Sequence, residues 1–201
     1  LSINPGGNIS GNDSWGWTDP TEGKEYAIVG LSSHTAFVDI SSPNNLKLIG
    51  VLPTATVNSS WRDIKVYQNH AFIVSEANSH GMQVFDLTRL RNVQNPPVEF
   101  NADTHFSDFG SAHNIVINED SGYAYVVGTN RNGPYNGGPL FINIQNPTVP
   151  VSEGGFGNGG YSHDAQVVTY SGPDTDYTGK EILIGSNEDE VVIADVTDKS
   201  N

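Results

Sequence analysis

Three residue pairs stand at matched places along the chain: Arg62 and Asp63, His113 and Asn114, His163 and Asp164. Each sets a cationic or imidazole side chain beside a carboxylate or an amide. Imidazole with carboxylate suits zinc or another divalent transition metal, whereas carboxylates and amides alone suit calcium. His113, His163 and Asp164 are therefore the candidate metal ligands, and Arg62 is placed to hold an anionic group. Ser14 and Trp15 occupy the corresponding place near the start of the chain. The distances from these positions to the next strand-ending residue agree: 39−15 = 24, 86−63 = 23, 143−114 = 29 and 195−164 = 31. A second set falls in loops expected to open on the same face: His34, Glu76, Asn78, His80, Asn130, Asn187, Glu188 and Asp189. His34, His80, His113 and His163, four of the six histidines, thus belong to one predicted face, with His70 and His105 elsewhere. Trp15, Trp17, Trp61, Phe106, Phe109 and Tyr161 lie just before or at the same strand starts. Flat amphipathic rings there suit a glycan or a protein partner, and they equally suit wedges between packed sheets. Polar residues in such a place also bridge neighbouring elements or hold water.

The elements that must position these residues repeat. EYAIVG leads to TAFVDIS, HAFIVS to MQVFDLT, YAYVVG to LFINIQ and EILIGS to VVIADVT. The second strands end at Asp39, Asp86, Asn143 and Asp195, with spacings 86−39 = 47, 143−86 = 57 and 195−143 = 52. A four-stranded propeller blade takes about 40 to 50 residues. WRDIKVY, AHNIVIN and HDAQVVTY supply an inner strand before each later pair, and LKLIGVLP and PPVEFN supply outer ones. The reading is an all-β chain, a β-propeller with four blades of four-stranded antiparallel sheet at about 11–54, 58–104, 110–158 and 161–201, the N-terminal part of a larger ring. Residues 1–10 are an extended segment or a closing strand, and the last blade lacks its outer strand. The starts of inner strands meet at one mouth of the central channel, which is why the three pairs are expected to converge. A β-sandwich or a stacked solenoid would also show short strands and turns.

Composition narrows the partners. The formal charge is −14, from 23 acidic and 9 basic residues, which opposes nucleic acid and an anionic membrane surface. Without cysteine, neither disulfides nor thiolate metal sites are available. No apolar run approaches the roughly 20 residues of a membrane span. LSINPGGNISGNDS lacks a basic segment followed by an apolar one, so it is not expected to be a signal peptide, and processing or truncation is expected to have removed whatever came first. GPDTDYTGK resembles the first half of a calcium loop, but Gly185 stands where a bidentate Glu is required, which favours a hydrated turn. No nucleophile elbow, P-loop or dinucleotide fingerprint occurs.

At its strand endings the chain resembles the LVIVD repeat. GNDSWGWTDPTEGKEYAIVGL, WRDIKVYQNHAFIVSEA and GMQVFDLTRLRNV are similar to the choice-of-anchor B family of bacterial surface proteins, with a match running from about residue 10 to the end. Asn143 departs from the Asp of that pattern. The resemblance implies a propeller exported to the cell surface or the extracellular space and held by a C-terminal anchor, with the remaining blades in a longer parent chain. It carries over no catalytic residues. Two functional readings follow. The first is a binding or scaffold module that recognises a glycan or protein through the histidine-bearing face, with a structural cation. The second is a metal-dependent hydrolase or oxidoreductase using His113, His163 and Asp164.

Overall fold

A computed structural model describes residues 9–200, all-β apart from two short 3-10 turns at Leu87–Leu90 and Thr175–Tyr177. The strands form four sheets. The first contains β1 (Gly11–Thr18), β2 (Glu25–Leu31), β3 (His34–Asp39) and β4 (Lys47–Pro53). The second begins with β5 (Arg62–Tyr67), β6 (His70–Ser75) and β7 (Met82–Asp86). β8 (Val98–Glu99) then crosses back to pair in parallel with β4, and β9 (Thr104–Phe106) completes the second sheet. The third contains β10 (Asn114–Asn118), β11 (Tyr123–Val127), β12 (Leu140–Asn143) and β13 (Val151–Gly155). The fourth contains β14 (Ser162–Thr169), β15 (Glu181–Asn187) and β16 (Val191–Asp195). Every pairing except β4 with β8 is antiparallel. The fourth sheet has three strands, as the repeat pattern predicts. A closing strand from residues 1–10 lies, for its first eight residues, outside the described ones.

Central strands such as HAFIVS are buried on both faces because the second and third sheets lie between neighbours, so the alternation expected of a half-exposed strand disappears there. Three apolar clusters fill the three seams. Ile28 and Phe37 meet Ile64, Ile73 and Phe85; Phe72 and Val84 meet Ile115, Ala124 and Ile142; Tyr125 and Phe141 meet Val167, Leu183 and Ala194. The inner strands β1, β5, β10 and β14 neighbour one another in that order, whereas β14 is not packed on β1.

All four strand-ending residues serve as turn caps. Asp39 accepts the Ser41 N–H at 2.9 Å, Asp86 that of Thr88 at 2.9 Å, Asn143 that of Gln145 at 3.0 Å and Asp195 that of Thr197 at 3.1 Å. A short polar side chain reaching two residues onward forms an Asx-turn, which reverses the chain and satisfies a donor that the ladder leaves free. Asp86 also accepts the Thr88 hydroxyl at 2.7 Å. Asp86→Ala is expected to cost about 1 kcal/mol, by analogy with lost helix caps. Urea denaturation measures it; a cost near zero would remove the cap's role.

The segment PPVEFN is a correction to the sequence reading. It does not close the second sheet but bridges to the first, because Phe100 is buried at that seam against Phe37 and Phe85, with ring centroids 5.9 and 5.0 Å away. Its N–H donates to the Val51 carbonyl at 2.8 Å. The bridge needs Gly50, where an added Cβ would come within 2.5 Å of both the Val98 carbonyl oxygen and the Phe100 ring. Gly50→Ala is accordingly expected to cost about 1–3 kcal/mol through overpacking. Unchanged thermal stability in that variant would show that the bridge yields freely.

Candidate functional site

The inner strands carry Asp13, Asp63, Asn114 and Asp164 in equivalent positions, spaced 63−13 = 50, 114−63 = 51 and 164−114 = 50. At the first two seams the carboxylate clips onto the next sheet. Asp13 accepts the Ile64 N–H at 3.0 Å, and Asp63 accepts the Ile115 N–H at 2.8 Å. The third seam breaks the pattern: Asp164 accepts the N–H of its own neighbour Ala165 at 2.7 Å, and Asn114 Oδ1 is buried without a hydrogen-bond partner. These four residues line one groove of about 500 Å³ together with Trp15 and Lys65. Burial pushes the Asp63 carboxyl up to about 7, against the pull of the Lys65 ammonium 3.0 Å away, and Asp13 adds to the rise. Lys65 also sits 4.5 Å over the Trp15 ring.

One residue earlier in each inner strand the side chain leaves the groove, as strand geometry requires. His113 and His163 come together there with ring centroids 4.2 Å apart, and Trp61 stands 5.7 Å from His113. Trp61 is 49% exposed. His113 Nδ1–H donates to Glu76 Oε1 at 2.6 Å, which fixes the ring and leaves its face turned to its aromatic neighbours. Close by, Arg131 lies 3.7 Å over the Tyr161 ring and holds Glu188 through two bonds of 2.7 and 3.0 Å. The result is a run of flat rings edged by carboxylates. Among the described residues, no group of three or more His, Asp or Glu side chains is arranged to hold a metal ion.

Arg62 is placed differently from the sequence expectation. It is 1% exposed and holds the seam between the first two sheets, donating to the Leu31 carbonyl at 2.9 Å and the Thr54 hydroxyl at 2.8 Å. Its third bond runs 3.1 Å to His80 Nε2, while His80 Nδ1–H donates to the Gly81 carbonyl at 3.0 Å. Burial holds the His80 ring down to about 4, with Arg62 adding to the depression, so the imidazole is the neutral acceptor that the guanidinium needs. His34 is also buried and lines a separate groove with Leu48, Val51 and Val98. Arg62, His80 and His34 are therefore buried away from the Trp61, His113 and His163 rings. Among the aromatic residues, Trp17 and Phe106 are wedges in the core, whereas Trp15 and Trp61 are exposed.

Asp13, Lys65 and Arg131 are the residues that sequence reading passed over. The near-constant spacing of Asp13, Asp63, Asn114 and Asp164 was the available signal for the first, and a register shift between Gly11 and Ser14 concealed it. Comparison of the chain with protein-family models and with curated proteins gives no match.

Proposed function

We propose that the four sheets are consecutive blades of a β-propeller arc from an exported bacterial surface or secreted protein, and that the chain is a binding module recognising a glycan through its ring-bearing mouth. The observation that carries this reading is the exposed Trp61 beside the adjacent His113 and His163 rings, whose centroids lie 4.2 Å apart. Aromatic faces stack on sugar rings at low entropy cost, and Glu76 and Glu188 at the border offer acceptors for hydroxyl groups. The repeated order of sheets, their sequential packing and the four equivalent turn caps support the propeller reading. Resemblance to the choice-of-anchor B family supports export and surface attachment, with the rest of the ring lying outside these 201 residues. The acidic charge suits a soluble module and disfavours polyanionic ligands.

Binding to a panel of immobilised polysaccharides, compared between the native chain and Trp61→Ala, tests the reading. Retention on at least one polysaccharide, weakened about tenfold or more by the substitution, is expected from losing one stacked ring. Equal retention by both would overturn it. Retention on a protein ligand alone, lost with Trp61, would keep the mouth and replace the glycan.

A further inference from the structure

We propose that His113 and His163 together hold a divalent late transition-metal ion, nickel(II) or copper(II) by its chemistry, through one ring nitrogen each. The site stands independently of the glycan reading. The two imidazoles come from different sheets, and the fold fixes the place of both. His113 immediately precedes β10, and its backbone N–H donates to the Val127 carbonyl at 3.0 Å. Gly128 turns the adjoining corner at φ +66°, and a Cβ there would stand 2.3 Å from the His113 Cβ, so glycine is what lets the histidine settle on the strand end. His163 sits in β14 at a register shift between Ser162 and Asp164. A bulge of that kind re-aims a side chain, and the imidazole here lies against His113 across the third seam.

The spacing suits a single ion. Two imidazoles in adjacent positions of one ion, each nitrogen about 2.0–2.1 Å from the metal, hold their ring centroids roughly 4.5 Å apart; these rings are 4.2 Å apart and tilted by 37°. A right-angled pair of nitrogens matches the square-planar or tetragonal preference of copper(II) and nickel(II) better than tetrahedral zinc. His113 Nδ1–H is already committed to Glu76 Oε1 at 2.6 Å, the carboxylate bond that fixes a metal-ligating ring and raises the basicity of its other nitrogen. Among the described residues, no hydrogen bond engages His113 Nε2 or either nitrogen of His163. Arg131, the cation bordering the rings, is matched by Glu188, and the net charge of −14 favours divalent cations at the surface. Asp164, the third ligand that the sequence suggests, does not join them, because it lines the groove on the other side of β14 and caps Ala165. Two protein ligands make an open site of moderate affinity. Its remaining positions are left to water or to ligand oxygens beside the exposed Trp61.

Isothermal titration calorimetry of the chelator-treated chain with nickel chloride at neutral pH tests the site. One ion per chain is expected, with a Kd of about 1–100 µM, weakened about tenfold or more in both His113→Asn and His163→Asn. Glu76→Gln keeps an acceptor for the Nδ1–H but lowers the ring's basicity, so binding about tenfold weaker is expected from it as well. Circular dichroism checks that the variants fold. A second readout needs no variant: nickel(II) should broaden the His113 and His163 imidazole resonances of the native chain ahead of those of His34, His70, His80 and His105. No saturable binding below about 1 mM, or binding that His163→Asn leaves unchanged, overturns the proposal. Broadening that begins at another histidine does the same. Polysaccharide retention by the chelator-treated chain is scored separately: retention without nickel binding overturns this site alone, and nickel binding without retention overturns the glycan reading alone.

Discussion

Arg62→Ala is expected to lower stability by about 3 kcal/mol or more, since it combines a core cavity with unpaired buried polar groups. The guanidinium has no carboxylate partner among its hydrogen bonds; it is held by the Leu31 carbonyl, the Thr54 hydroxyl and the His80 ring. Truncation strips the Leu31 carbonyl and His80 Nε2 of that donor in a seam where water does not readily replace it. Burial already lowers the guanidinium to about 10, a measure of how far the site is withdrawn from solvent. The variant should fold with the same far-ultraviolet spectrum and unfold at a clearly lower urea midpoint. A loss under about 1 kcal/mol would mean that the seam is held by its apolar cluster alone.

Two buried groups near this seam give the pH dependence opposite signs. His80 has a folded value of about 4, below the usual 6.5, so its contribution is complete above 6.5 and is lost as pH falls towards 4. Asp63 is raised from 3.8 to about 7, so its contribution is complete below 3.8 and is lost as pH rises towards 7. Between about pH 4 and 6.5 the two slopes oppose each other, and the native chain should show a shallow profile. Asp63→Asn removes one of them, and stability should then fall on acidification across that window by up to about 3 kcal/mol. His80→Gln preserves an acceptor for Arg62 and removes the other, so stability should fall as pH rises from about 4 to 7. Chemical denaturation at half-unit pH steps measures both. Profiles of the two variants that run parallel would contradict the assignment.

The repeat pattern made the sheets legible because strand ends in Asp or Asn recur with the same turn chemistry, and all four caps are where that chemistry puts them. The all-β class followed from the same pattern. Less of the site could be read, for a geometric reason. Adjacent residues in a strand point to opposite sides, so Arg62 and Asp63 cannot share one destination; the first enters the seam and the second lines the groove. His113 and Asn114 divide in the same way. The β8 crossover was hidden because the pull of Phe100 into the seam between the first two sheets is a long-range packing effect with no local periodicity. The loop position of His80 says nothing of the buried guanidinium that needs it as an acceptor, so sequence alone places it with the face-opening imidazoles.

Contact of a ligand with the Trp61, His113 and His163 rings has a direct spectroscopic signature. Its most direct measurement is the set of indole and imidazole resonances of the isotope-labelled chain, titrated with an oligosaccharide of the best-retained polysaccharide. The Trp61 indole and the His113 and His163 imidazoles should shift together along one saturable curve, while His34 and His70, which lie elsewhere, should stay in place. Saturable shifts at His34 or along the outer face of the fourth sheet, with the Trp61, His113 and His163 signals unmoved, would place the ligand elsewhere and overturn the proposed binding surface.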